Sequence, residues 1–149
     1  MPSFGPKSRA ERETLHPFLQ EVLDEVIEYY DFSIIEGHRN EAKQSDAFES
    51  GASKVEFPDG NHNLLPSMAG DLAPYPIDYS ERSKAKARFY FLMGCVKAEV
   101  ENMNALNRMM GRPEPEYDVR FGLDWDGDGD FLDQSFDDIG HVEIKLRAR

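Results

Sequence analysis

Between Phe18 and Tyr30 the apolar positions Phe18, Leu19, Val22, Leu23, Val26, Ile27 and Tyr30 recur at the i, i+3, i+4 spacing of one helix face. Thr14 is placed to cap this helix, and Pro17 suits its first turn. The preceding residues, 1–13, are mostly polar and predict a flexible arm. A longer helix is predicted from Ser80 to Met110, with Phe89, Leu92, Met93, Val96, Val100, Met103, Leu106 and Met110 near one face. Gly94 weakens its middle, and Gly111 and Pro113 end it. Glu41 to Ser50 predicts a short helix stopped by Gly51. Strands are predicted at Phe32–Ile35, at Val119–Phe121 and at His141–Leu146, where Val142, Ile144 and Leu146 alternate with His141, Glu143 and Lys145. Asp71-Leu-Ala reads as a brief or edge strand, because Pro74 and Pro76 cut it off. The sum is a small α+β domain.

Composition narrows the setting. A chain of 149 residues, 40% apolar and 31% charged, fits one globular domain that can bury a core without staples. A single cysteine, Cys95, allows no internal disulfide, and its apolar helical surroundings predict a buried structural thiol. No apolar run is long enough to span a membrane, and the polar N-terminus shows no secretory signal. The net charge of −12 argues against nucleic acid, whose phosphates demand a basic patch.

Two short stretches carry candidate chemistry. In GNHNLLPSMAGDLAPYP, residues 60–76, His62 and Asp71 stand in a Pro/Gly-rich segment able to loop back on itself. In Asp138-Ile-Gly-His141 a tight turn separates a carboxylate from a histidine that starts a strand. Catalytic zinc takes three protein ligands and keeps one position for water, whose proton a nearby carboxylate removes. His62, Asp71 and His141 with Asp138 satisfy that count. On spacing alone other histidines compete: His16 begins a helix without a neighbouring ligand and is discounted, while His38, beside Arg39, remains an alternative.

These motifs resemble the zinc peptidoglycan peptidases of the VanY/D-alanyl-D-alanine carboxypeptidase superfamily, above all the phage endolysins that are L-alanyl-D-glutamate peptidases. The resemblance rests on His62, Ala69-Gly-Asp71, Asp138-Ile-Gly-His141, Gly37-His-Arg39, Gln44 and Arg120-Phe-Gly-x-Asp-Trp125, spanning about Phe32 to Ile144. It implies a Hedgehog/DD-peptidase-like fold, a small antiparallel sheet flanked by helices. It implies Zn²⁺ on His62, Asp71 and His141, with Asp138 as general base. Arg39 is implied to bind a substrate carboxylate or polarise the scissile carbonyl, and Gln44 to hydrogen-bond the peptide. The implied reaction is cleavage of the L-Ala–D-Glu bond of peptidoglycan stem peptides, with terminal D-Ala trimming by a D,D- or L,D-carboxypeptidase as the alternative. A non-catalytic wall-binding or virion module is the rival of another class; Asp138 speaks against it. The implied life history is a monomeric lysin made in the host cytoplasm and acting on the wall after release. One departure is Gly60, where relatives commonly carry Ser.

From Asp124 to Asp138 there are seven Asp and no basic residue. Asp124, Asp126, Asp128 and Asp130 occupy positions 1, 3, 5 and 7 of an EF-hand-like loop with Gly129 at position 6. Position 12 is Ser135 instead of Glu, and Asp133 is the candidate replacement. The expectation is a Ca²⁺ site that orders the approach to Asp138 and raises activity.

Overall fold

The computed structural model describes residues 1–148. Four strands, β1 (Phe32–Glu36), β2 (Ala69–Pro74), β3 (Tyr117–Phe121) and β4 (His141–Leu146), form one antiparallel sheet in the order β1-β2-β4-β3. Four helices accompany it: α1 (Pro6–Arg12), α2 (Pro17–Ile27), α3 (Glu41–Glu49) and α4 (Ser83–Met109). Helices α2 and α4 pack on each other, and α4 lies against β2 and β3. Leu19, Val22, Leu23 and Val26 of α2 interlock with Leu92, Val96 and Val100 of α4 in a core that also takes Leu72, Val142 and Ile144 from the sheet.

The N-terminal stretch is folded, contrary to the expected arm. Phe4 packs edge-on against Phe32 at 5.3 Å, and Ser8 Oγ accepts from Ile34 N at 3.0 Å. Arg12 forks onto Asp24 of α2. An isolated seven-residue helix is too short to persist in water, so these tertiary contacts hold it. Thr14 also has another task than capping. His16 is the N-cap of α2, its Nδ1 accepting from Phe18 N, while Thr14 Oγ1 accepts from His38 N.

Strand β2 is central, not an edge. It pairs with β1 through Phe32↔Pro74 and with β4 through Ala69↔Glu143, Gly70↔Val142 and Asp71↔His141. Proline is tolerated because β4 partners only the Ala69–Asp71 half; Pro74 lies at the far end, where a single neighbour remains. Helix α4 runs unbroken through Gly94. Its C-terminal half departs from the apolar stripe: Leu106 and Met110 are exposed, whereas Asn104 is buried and exchanges two hydrogen bonds with the Tyr117 backbone, at 2.7 and 3.0 Å. Cys95 is partly buried beside the core.

Candidate metal centre

The register of β2 and β4 sets Asp71 directly opposite His141, and the 3₁₀ turn Asn61–Asn63 brings His62 over the same point. His62 Nε2, Asp71 Oδ1 and His141 Nδ1 are mutually separated by 3.3 Å on all three edges. A tetrahedral ion with bonds of about 2.0–2.1 Å places its ligands about 3.3 Å apart. The triangle therefore has the dimensions of one face of a zinc coordination sphere. The donor set, two imidazoles and a carboxylate, fits that ion as well.

Each donor is aimed by a second partner. His62 Nδ1 lies 2.6 Å from the Gly37 carbonyl oxygen, which can only accept, so this nitrogen carries the proton and Nε2 is free to ligate. His141 is turned the other way round: Nε2 lies 2.8 Å from Glu143 Oε1, which leaves Nδ1 for the centre. Glu143 is itself buried and held by Asn61 Nδ2 at 2.6 Å and by Arg120 Nη2 at 3.0 Å. Asp71 gives its second oxygen to Arg39 Nη2 at 3.2 Å.

The electrostatics follow from burial opposed by pairing. Burial works to raise the Asp71 carboxyl, yet hydrogen bonds from His141 and His62 outweigh it and hold the group well below the usual carboxylate range. Burial works to lower the His141 imidazole, yet the hydrogen bonds to Asp71 and Glu143 prevail and raise it to about 9. Burial also works to raise Glu143, and the hydrogen bond from His141 overcomes it, so Glu143 is lowered.

Asp138 stands beside the triangle, Oδ2 lying 3.9 Å from His141 Nδ1. Burial, and then the charge of Asp71, push its carboxyl up from the ordinary value. The turn that delivers it is clamped to the start of β4 and the end of β3: His141 N donates to Asp138 O, Asp138 N to Gly122 O, and Gly122 N to His141 O, each at 3.0 Å. A Cβ on Gly122 would meet Asp138 O at 2.1 Å, so only glycine permits this approach.

These groups open into a cleft of about 400 Å³ lined by Arg39, Lys54, Arg120, Trp125, Phe136 and Asp138 among others. Arg39 contributes less freely than expected. Its guanidinium already serves Glu36, Gln44 and Asp71, leaving two of its five N–H groups. Gln44 is 1% exposed and saturated: its Oε1 accepts from Arg39 and Asn63, and its Nε2 donates to Ser53 Oγ and to Val55 O. Gln44 thus braces the cleft wall from behind. His38 stays outside the centre, its Nδ1 against Leu64 O, and His16 caps α2. A Cβ at position 60 would come within 2.7 Å of Asn63 Oδ1, which accepts from Gly60 N; Asn63 occupies the space a serine side chain would enter.

The acidic loop gathers Asp124, Asp126 and Asp128 into one group with oxygens within 4.8 Å. Asp124 Oδ1 is buried without a hydrogen-bond partner among the described residues. Gly127 and Gly129 take positive φ, 74° and 84°. Asp130 and Asp133 are not part of that group; Asp130 Oδ1 instead accepts from Leu132 N at 2.9 Å. Gln134 closes the loop base, its Oε1 accepting from Trp125 N and its Nε2 donating to Gly122 O. Sequence reasoning missed Gln134, Asn61 and the orienting role of Glu143. The last was signalled by position: His141 and Glu143, two apart on a strand, share a face.

The chain matches the family described as phage L-alanyl-D-glutamate peptidase over residues 2–145. It is 30% identical to the L-alanyl-D-glutamate peptidase of Escherichia phage T5 over 149 residues, covering 95% of this chain and 96% of that one. It resembles the crystal structure of the Serratia marcescens L-Ala D-Glu endopeptidase ChiX with a TM-score of 0.63 at 19% identity, covering 96% of this chain and 90% of that one; at this identity the likeness concerns the fold.

Proposed function

Because the chain belongs to the phage L-alanyl-D-glutamate peptidase family, we propose that it is a zinc-dependent endolysin that hydrolyses the L-Ala–D-Glu bond of peptidoglycan stem peptides. The observation that carries the reading is the 3.3 Å triangle of His62, Asp71 and His141 with Asp138 beside it in an open cleft.

His62, Asp71 and His141 would hold the zinc, which would supply Lewis acidity and make water a stronger acid near pH 7. Asp138 takes the proton of the attacking water and returns it to the leaving amine nitrogen of D-Glu. Its place beside the three ligands, 3.9 Å from His141 Nδ1, is what suits Asp138 to both halves of that transfer. Arg39 holds Asp71 in place and keeps two N–H groups for the scissile carbonyl or a substrate carboxylate. Glu143 keeps His141 in the tautomer that presents Nδ1. Glu143, the other carboxylate at His141, faces the opposite edge of the imidazole and is engaged by Asn61 and Arg120, which favours Asp138 as the base.

The acidic loop is a candidate calcium site on Asp124, Asp126 and Asp128, supported by the unpartnered buried Asp124 oxygen. Binding there orders the segment that leads to Asp138. No helix among the described residues is long and apolar enough to cross a membrane, which suits an agent that meets the wall from the aqueous side.

Mass spectrometry of peptidoglycan digested by the zinc-loaded protein tests the reading. Stem peptides beginning at D-Glu, with L-Ala left on the glycan, are expected. Release of terminal D-Ala alone would assign a carboxypeptidase, and unchanged muropeptides would remove the enzymatic reading.

A further inference from the structure

Three cationic side chains line the cleft, and two are committed to carboxylates. Arg39 is engaged by Glu36 and Asp71. Arg120 is engaged by Glu143 and lies over the Trp125 ring at 5.2 Å. Lys54 differs: among the described residues no carboxylate pairs with it, although the chain carries 29 acidic residues against 17 basic ones. Its ammonium instead sits 5.2 Å from the centre of the Phe136 ring.

That placement is built, not incidental. Phe136 and Trp125 stack nearly parallel, at 8° and 6.5 Å, and Trp125 packs on His141 at 5.2 Å. An aromatic shelf therefore runs from the metal-ligand histidine to the cleft rim, ending under Lys54. The backbone carrying Lys54 is fixed on both sides. Ser53 N donates to Ala47 O at 2.9 Å, and Val55 O accepts from Gln44 Nε2 at 2.6 Å. Gln44 is the same buried amide that braces Arg39, so Lys54 and the metal-site arginine share one support.

We propose that Lys54, with the Phe136–Trp125 shelf beneath it, forms a subsite for a free carboxylate of the stem peptide. The inference rests on the reading of the cleft as a stem-peptide site. An ammonium at the cleft with no carboxylate partner among the described residues keeps its full charge and its donors for an anionic substrate. The ring holds the ammonium in place without neutralising it, because cation–π attraction leaves the full charge available. The candidate carboxylates are the α-carboxylate of D-Glu and that of the residue following it.

Calorimetric binding to the zinc-loaded Asp138→Asn protein tests this without requiring turnover. Three synthetic stem peptides serve as probes: unmodified, amidated at the D-Glu α-carboxylate, and amidated at the next residue's carboxylate. Lys54→Gln is expected to weaken binding of the unmodified peptide about fivefold, and Lys54→Arg to restore it. Amidation at one position is expected to weaken the Lys54 protein equally and to leave Lys54→Gln unchanged, which identifies the carboxylate. Equal affinities for Lys54 and Lys54→Gln overturn the proposal. So does a loss in Lys54→Gln that persists in full on both amidated peptides. Turnover by the wild-type protein is measured separately, so failure of the peptidase reading is not mistaken for failure of the subsite.

Discussion

Glu143 Oε1 lies 2.8 Å from His141 Nε2, two residues along the same strand and on the same face, so a single strand supplies both a metal-ligand candidate and the carboxylate that aims it. Replacing Glu143 with Ala frees the imidazole to rotate or change tautomer and strips Arg120 and Asn61 of their partner. Zinc affinity, measured by competition with a chromophoric chelator, is expected to fall about 10–100-fold. Glu143→Gln, which retains an acceptor oxygen, is expected to fall less. Unchanged affinity in Glu143→Ala would mean that packing against Trp125 alone orients His141.

Asp138→Asn separates metal binding from chemistry. The amide preserves shape but cannot accept the proton, so one zinc per chain is expected to remain while kcat drops about 10²–10⁴-fold. Metal content by atomic absorption, read beside turnover of a synthetic stem peptide, checks both halves. Near-normal turnover would move the base elsewhere.

Protons and zinc are expected to compete at His141. In the metal-free protein this imidazole, raised to about 9, carries its proton at neutral pH, so zinc must displace it. Zinc affinity should rise from pH 7 and level off above about 9, and titrations at pH 7 in buffers of different ionisation enthalpy should report the released proton. Stability of the metal-free protein follows the same linkage. The raised pKa contributes stability that is complete below the unfolded value of 6.5 and is lost as pH rises through about 9. On the acid side, the depressed Asp71 contributes stability that is present above 3.8 and lost at lower pH as that carboxylate protonates. Denaturant midpoints across this range test both signs.

Gln44→Ala is expected to destabilise the fold although Gln44 is polar and stands outside the apolar core cluster. It leaves Val55 O, Arg39 and Asn63 each one partner short, and any of these groups that water does not reach costs about 1–3 kcal/mol. A lowered melting temperature, with faster amide exchange at residues 53–55, is the expected record. A melting temperature equal to wild type would show that solvent replaces the lost bonds.

Calcium binding to the acidic loop is open to a direct optical test, because the only tryptophan, Trp125, lies within it. Terbium is expected to luminesce on excitation of Trp125 and to be displaced by calcium. Asp124→Asn should abolish the signal, since Asp124 holds the buried unpartnered oxygen. Luminescence that survives Asp124→Asn would place the ion elsewhere.

What the sequence alone determined was local. Apolar spacing set α2, α4 and β4 close to their observed bounds, because a helix or strand that must bury one face imposes its own period on the chain. Residue chemistry offered His62, Asp71, His141 and Asp138 but left His38 open, and the resemblance to the zinc peptidoglycan peptidases chose among them. Other features needed the tertiary structure. Strand β2 became central because β4 returns from some 70 residues downstream to pair with its first half, and that register alone sets Asp71 opposite His141. The expected arm became α1 because Phe4, Ser8 and Arg12 find partners on β1 and α2. Gln44 turned inward, Glu143 became the partner of His141, and Lys54 was left as the cleft cation without a carboxylate. A side chain's hydrogen-bond partners belong to other segments, and no local period encodes which of them folding brings near.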